Sequence, residues 1–319
     1  MILCCGEALI DMLPCRSREN APAFTPCVGG AAFNTAVALG RQGMAVALFS
    51  GLSDDFMGDM LRHTLDASGV DYSPSTRAPL PTTLAFVRLV GGQARYTFYD
   101  ENSAGRMLTE NDLPTLGDDV SAVLFGCISL IAEPCGSVYE ALMVREAPRR
   151  VMFLDPNIRE IFIPDRQKHL ARMRRMIALA DIVKLSDEDL AWFAEPGEEH
   201  EVIGRWLARG PKLIVVTRGA DGADAWTADF HLHVPAIRVA VADTVGAGDT
   251  VNAGILASLS QAGLLEKEKL VTLSRKQVRQ AVDLGMRAAA VTVSRPGANP
   301  PWDHELSRQR TPCQQPTAR

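Results

Sequence analysis

Short runs of continuous apolar residues alternate along this chain with longer stretches whose apolar positions recur every three to four residues. Ile2–Cys5, residues 45–51, 121–126, 151–155, 182–186 and Leu213–Thr217 carry few polar side chains, as strands buried on both faces of a parallel sheet do. Between them, residues 31–42 follow Gly29-Gly30, residues 57–69 follow the polar start Ser53-Asp54-Asp55, and Val251, Ile255 and Leu259 line one face after residue 246; these predict helices. Residues 283–293 read as a helix leading into a strand. The rhythm breaks at residues 82–99, where two alternating segments flank Gly91-Gly92 and predict a β-hairpin. Such a hairpin does not belong to a sheet built of βα units, so it predicts a flap, joined by strands after Gly6 and near Phe24. The fold class is therefore α/β: a mostly parallel central sheet flanked by helices on both faces, with a small β-sheet lid from about residues 6–27 and 82–100. Residues 1–302 form the domain, and the polar residues 303–319 read as a disordered tail.

Composition narrows the classes. With 319 residues, 47% of them hydrophobic, the chain suits one large domain, and no apolar run approaches the ~18 residues of a membrane span. The start lacks the basic lead of a signal peptide, so the expected location is the cytoplasm, with no membrane partner. Net charge is −5, and Arg172-Met173-Arg174-Arg175 reads as an exposed helix, which argues against nucleic acid as a partner. The seven cysteines have no CxxC spacing and read as reduced small hydrophobes. His231 and His233 alternate on a strand and face solvent.

The chemistry concentrates at Asp243-Thr244-Val245-Gly246-Ala247-Gly248-Asp249. A glycine turn opening a helix presents free N–H groups and the positive dipole end, which suits phosphate. Asp249 repels phosphate unless it has another task, and accepting the proton of a hydroxyl that attacks phosphorus is such a task. The other reading is an ordinary capping Asp. No Gly-Lys dipeptide offers a Walker loop, and no three glycines fit the dinucleotide spacing.

This run and Val28-Gly29-Gly30-Ala31-Ala32-Phe33-Asn34 resemble the C- and N-terminal signatures of the ribokinase-like (PfkB) carbohydrate kinases over about residues 1–302. The resemblance implies a ribokinase-like fold with a β-lid, through which some members form homodimers. It implies Asp249 as catalytic base and the Gly246, Ala247 and Gly248 amides as an anion hole. For the sugar it implies Asp11, Gly29, Gly30 and Asn34, with Phe98, Tyr99 and Asp100 returning from the lid and Arg159 beyond a strand end. Asn157, Ser186, Thr217, Gly219 and Gly222 are implied for the nucleotide. Asp189 stands where relatives carry a Glu tied to magnesium and Asp243 where relatives build a monovalent-cation site, and near Met286 relatives often have an Asn that touches adenine, which this chain lacks. ATP, Mg2+ and K+ are the corresponding cofactors. Ketodeoxygluconate kinases carry an Arg at the place of Asp100, so the carboxylate favours a neutral sugar. The runs Gly6-Glu7-Ala8-Leu9-Ile10-Asp11 and Phe98-Tyr99-Asp100-Glu101-Asn102 are similar to bacterial fructokinases, which implies ATP-dependent conversion of D-fructose to D-fructose 6-phosphate. The alternatives are ketodeoxygluconate kinase, ribokinase or another sugar kinase, and, in a different class, a catalytically silent sugar sensor.

Overall fold

The computed structural model describes residues 1–90 and 93–308. Its first strands are β1 (Ile2–Cys5), β2 (Leu9–Arg16) and β3 (Pro22–Gly29), then helix α1 (Ala31–Arg41), β4 (Val46–Phe49), β5 (Gly51–Ser53), α2 (Phe56–Ala67) and β6 (Thr76–Ala78). The hairpin strands β7 (Leu84–Val90) and β8 (Gln93–Tyr99) follow. Then come β9 (Ala122–Gly126), α3 (Cys135–Glu146), β10 (Val151–Asp155), α4 (Arg166–Leu179), β11 (Ile182–Ser186), α5 (Asp187–Trp192), α6 (Glu199–Leu207) and β12 (Leu213–Thr217). The chain continues through β13 (Ala223–Trp226), β14 (His231–Val234), α7 (Ala247–Gln261), α8 (Lys267–Leu270), α9 (Arg275–Val293) and α10 (Asp303–Arg308).

Eight strands form the central sheet in the order β14-β13-β12-β11-β10-β9-β1-β4. Those from β12 to β4 run parallel, and β13 and β14 close one edge antiparallel. The continuous apolar runs lie here because both faces are covered. On one side Ile2, Cys4, Leu124, Phe153 and Val215 pack with the apolar faces of α1, α7 and α9. On the other, Leu3, Phe125, Leu154 and Val216 pack with α3, α4 and α6.

The lid is a separate sheet of order β3-β2-β7-β8. The expected hairpin is present, and β2 and β3 join it as expected; the Gly91-Gly92 turn lies outside the described residues. Strand register assigns the lid's two faces. Cys27, Asp11, Ala85 and Phe98 stand in one row across the four strands, so they share a face. Phe86 belongs to the opposite face, where its ring meets those of Phe24 at 5.0 Å and Tyr99 at 5.4 Å.

Several expectations differ from the fold. Among the described residues no strand follows residue 293: α9 runs from Arg275 to Val293, its Ala288-Ala289-Ala290 stretch being good helix sequence against α7. Part of the tail expected to be disordered is helical, Asp303–Arg308, tied to the domain by Arg295–Glu305 and by Leu306 in the core. Residues 309–319 lie outside the described residues. Arg172 is buried, because it meets Glu133, Glu140 and the Leu130 carbonyl between α3 and α4. The two histidines of β14 do sit half-exposed, both on the Asp224 carboxylate. No helix among the described residues is long and apolar enough to cross a membrane.

Candidate active site

The carboxyl ends of β1, β9, β10, β11 and β12 lie along one edge of the sheet, where open α/β sheets place ligands. Helices α1 and α7, packed on each other, both start there. Helix α7 begins at Gly246, whose φ of 76° is the left-handed region that glycine adopts without strain. A Cβ there would also stand 2.8 Å from the Ala298 side chain. The turn uses one of its donors: Ala247 N–H reaches the Thr244 carbonyl at 3.3 Å, while Thr250 N–H returns to Gly246 O at 2.9 Å. The N–H groups of Gly246, Gly248 and Asp249 have no partner among the described residues. Of the expected trio of donors, Ala247 is thus engaged, while the Asp249 amide stands free beside those of Gly246 and Gly248 among the described residues.

Asp249 is buried at 7% exposure and its Oδ2 accepts from Asn34 Nδ2 at 2.8 Å. The contact joins the first turns of α1 and α7, and Thr35 Oγ1 reinforces it on the Asp249 carbonyl at 3.3 Å. Burial pushes the Asp249 carboxyl up to about 7. The Asn34 hydrogen bond and the Lys184 charge pull it down, while Asp155 and Glu7 add to the rise. A carboxylate poised near neutrality and already paired with an amide is suited to proton acceptance.

Asp11 lies on the inner row of the lid, and among the described residues no protein donor reaches its carboxylate. Burial, and next the neighbouring Glu7, push it up to about 6. Gly29 lies against it: a Cβ at that position would stand 2.3 Å from Asp11 Oδ2, so only glycine lets the chain pass so close to the carboxylate. Gly30 then caps α1, whose first N–H, that of Ala31, is taken by Glu7 Oε1 at 2.8 Å.

A cavity of about 360 Å³ opens between lid and core, lined by Glu7, Phe98, Asp100, Arg106, Ile128 and Phe162 among others. Phe98 meets Phe162 edge-on at 4.5 Å. Tyr99 does not face this cavity; it is 62% exposed on the outer face of the lid, and Tyr96, stacked beside Phe98, is the inward tyrosine. The period of two in a strand makes one of the adjacent pair Phe98-Tyr99 point outward. Asp100 is paired with Arg106 at 3.1 Å, which removes the premise that a bare carboxylate rejects a sugar acid at this point.

Beyond β10, Asn157 adopts φ 40° and Arg159 stands exposed at the rim of the site. Ser186 caps α5, accepting from Asp189 N–H at 3.0 Å, so its local role is the plain capping one. Both oxygens of Asp189 are engaged, one by Ser186 N–H at 2.9 Å and one by Ile158 N–H at 2.8 Å. Thr217, Gly219 and Gly222 form the turn of the β12–β13 hairpin. Asp243 bridges two loops, accepting from Val245 N–H at 3.1 Å and Gly297 N–H at 2.9 Å. Met286 is buried on α9.

Sequence reasoning overlooked a buried cluster under the turn. Lys184 Nζ is 2.9 Å from Asp155 Oδ2, and Asn252 Nδ2 reaches the same oxygen at 2.7 Å. The available signal was a lysine inside the apolar strand Ile-Val-Lys-Leu and an aspartate ending Val-Met-Phe-Leu-Asp, since charges in a central strand require partners.

Residues 1–305 match the pattern of the family described as "pfkB family carbohydrate kinase". Over 283 residues, 89% of this chain and 87% of the relative, the sequence is 56% identical to a fructokinase of Rhizobium leguminosarum bv. trifolii. The structure is similar to that of fructokinase with bound ATP from Xylella fastidiosa, with TM-score 0.88 and 28% identity, covering 97% of this chain and 98% of that one. It is also similar to a Vibrio cholerae fructokinase in a fructose-, ADP- and calcium-bound form, with TM-score 0.80 and 27% identity over 93% and 94% of the two chains.

Proposed function

The chain belongs to the pfkB family of carbohydrate kinases, and from that premise we propose that it transfers the γ-phosphoryl group of ATP to the terminal primary hydroxyl of D-fructose, giving D-fructose 6-phosphate and ADP. One observation carries the chemistry: the Asn34–Asp249 hydrogen bond puts a buried carboxylate and the unpaired N–H groups of a helix start in one place. Asp249 takes the proton as the hydroxyl oxygen bonds to phosphorus and the bond to the ADP oxygen breaks. The Gly246 and Gly248 amides, with that of Asp249, stabilise charge on the transferring group. Asp11 accepts sugar hydroxyls from the lid, Asn34, Gly29 and Gly30 meet them from the core, and Phe98 covers the ring. Arg159 reaches in from the rim toward the phosphoryl group.

The nucleotide lies along the turn of Thr217, Gly219 and Gly222, with Asn157 and Ser186 beside its phosphates. Support comes from the turn's openness: a Cβ on Gly219 would meet nothing within 4 Å, and Thr217 Oγ1 has only a long bond, 3.4 Å, to Leu185 O. A magnesium ion would supply positive charge to the phosphates of the nucleotide. Among the described residues no group of three or more His, Cys, Asp or Glu is placed to hold an ion. Asp155 Oδ1 and Asn252 Oδ1, buried without partners among the described residues, would suit a metal-bound water. The loops that Asp243 ties together are where carbonyls would hold K+, and Asp189, both of whose oxygens accept backbone N–H groups, would act on a metal only indirectly. Two copies associate through the outer lid face around Phe24 and Tyr99, and the enzyme works in the cytoplasm.

The substrate assignment is tested by ADP release with fructose, ribose, ketodeoxygluconate and adenosine. Fructose should give the highest kcat/KM; no preference for it would defeat the assignment. Asp249→Asn should lower kcat by a factor on the order of 10² or more while leaving fructose binding within a few-fold. Near-full turnover in that variant would remove Asp249 as base. A sensor that binds sugar without turnover has no use for a carboxylate beside a phosphate site.

A further inference from the structure

Lys184 is the charged residue of an otherwise apolar strand, β11, and its side chain is 5% exposed. A methyl group on Gly248 would stand 2.9 Å from its Nζ, so the ammonium packs directly beneath the second residue of α7. It is held from one side by Asp155, which Asn252, one helical turn after Gly248, clamps in place. An ammonium has three donors, and among the described residues Asp155 is its only hydrogen-bond partner. A buried ion pair is weak support for stability, because well-packed apolar residues commonly replace one without loss. Here the cluster is not even closed: among the described residues Asp155 Oδ1 and Asn252 Oδ1 have no partner. Those features fit a charge kept for the reaction.

We propose that Lys184 is a positioning residue of phosphoryl transfer, fixed by Asp155 and Asn252 under the Gly246–Gly248 turn so that it keeps Asp249 ionised and underlays the anion hole with positive charge. The proposal rests on Asp249 being the base. The groups that face Asp249 are Asn34 from α1, Glu7 after β1, Cys127 after β9, Asp155 at the end of β10, Arg159 beyond it and Lys184 from β11. Of these, Lys184 and Arg159 are cationic, and Asp155 and Glu7 oppose them. Although burial alone would lower the Lys184 ammonium, the Asp155 charge and hydrogen bond hold it above its ordinary value, so it stays charged through the working range.

The test is the pH dependence of kcat/KM for fructose at saturating magnesium-ATP, with melting temperatures as a control for folding. Lys184→Met should move the acid limb up by about one unit or more, the scale of losing a nearby opposite charge. From a limb near 7, that shift alone costs about fivefold in kcat at pH 7, with KM for fructose changed less than twofold. Asp155→Asn should move the limb the opposite way. If Lys184→Met does not fold because it strands the Asp155 charge, Lys184→Met is read in the Asp155→Asn background, where the limb should again rise relative to Asp155→Asn alone. A limb that stays put in folded variants, shifts of the same sign in both, or a rise in KM with kcat intact would overturn the proposal. Undiminished turnover in Asp249→Asn would instead overturn the base assignment, so the two failures are distinguishable.

Discussion

At residue scale the site is defined by carboxyl groups held away from their ordinary ionisation. Asp249 in the unfolded chain titrates near 3.8, and in the folded protein near 7. Between those values the folded state holds the extra proton, so stability from this group is full below about pH 4 and falls as pH rises through 7. Asp249→Asn removes that loss. The variant should therefore melt higher than wild type at pH 8, by roughly 2–4 °C for each kcal/mol released, and no higher at pH 4. Equal melting temperatures at pH 8 would show that the carboxylate is not under this strain. Asp11, near 6, predicts a separable effect: KM for fructose should rise as pH falls through 6, because a protonated carboxyl loses an acceptor. Asp11→Asn should flatten that dependence and raise KM roughly tenfold at pH 8, the scale of losing one charge-assisted hydrogen bond. Asp249, Asn34 and Gly246 were legible in the sequence because a glycine turn before a helix dictates its own geometry. Lys184 was not, because its meaning comes from Asp155, 29 residues away, across a strand pair that only the fold creates.

At the scale of elements, the six parallel strands of the central sheet were plain in the apolar runs and the hairpin in its alternation, whereas β13 was not read from the sequence. The face each lid strand turns inward was harder, since a period of two says that neighbours diverge without saying which one enters the site. Tyr99 was misassigned for that reason, and the partner row from Asp11 to Phe98 resolves it. The short pair β5 and β6 carried too few residues to announce itself. Outside, Phe24 at 46% and Tyr99 at 62% exposure give the lid an apolar outer face. Replacing both with Ser should leave a monomer by sedimentation where wild type sediments as a dimer at the same concentration; a monomeric wild type would end the idea of lid-mediated association.

At the scale of the whole molecule, the central sheet is covered by helices on both faces, whereas the lid has a single sheet layer of its own. Hydrogen exchange with and without fructose should reflect this. Strands β2, β3, β7 and β8 should slow when sugar binds, while β1, β9, β10 and β11 stay slow throughout. Equal protection of the lid in both states would mean that it does not respond to the sugar.

The row that joins Asp11 to Phe98 belongs to the lid, while Asn34 and Asp249 belong to the body beneath it. With the sugar held as proposed, the polyol would fasten two parts of the protein together as well as being the molecule that is changed. On that proposal a lone water could touch Asp249 but would not reach across to the lid, and would leave the phosphoryl group without its full set of donors. Selectivity against hydrolysis then depends on the span of the acceptor, and a sugar shortened at the end that Asp11 grips should be phosphorylated more slowly even though its reacting hydroxyl is untouched.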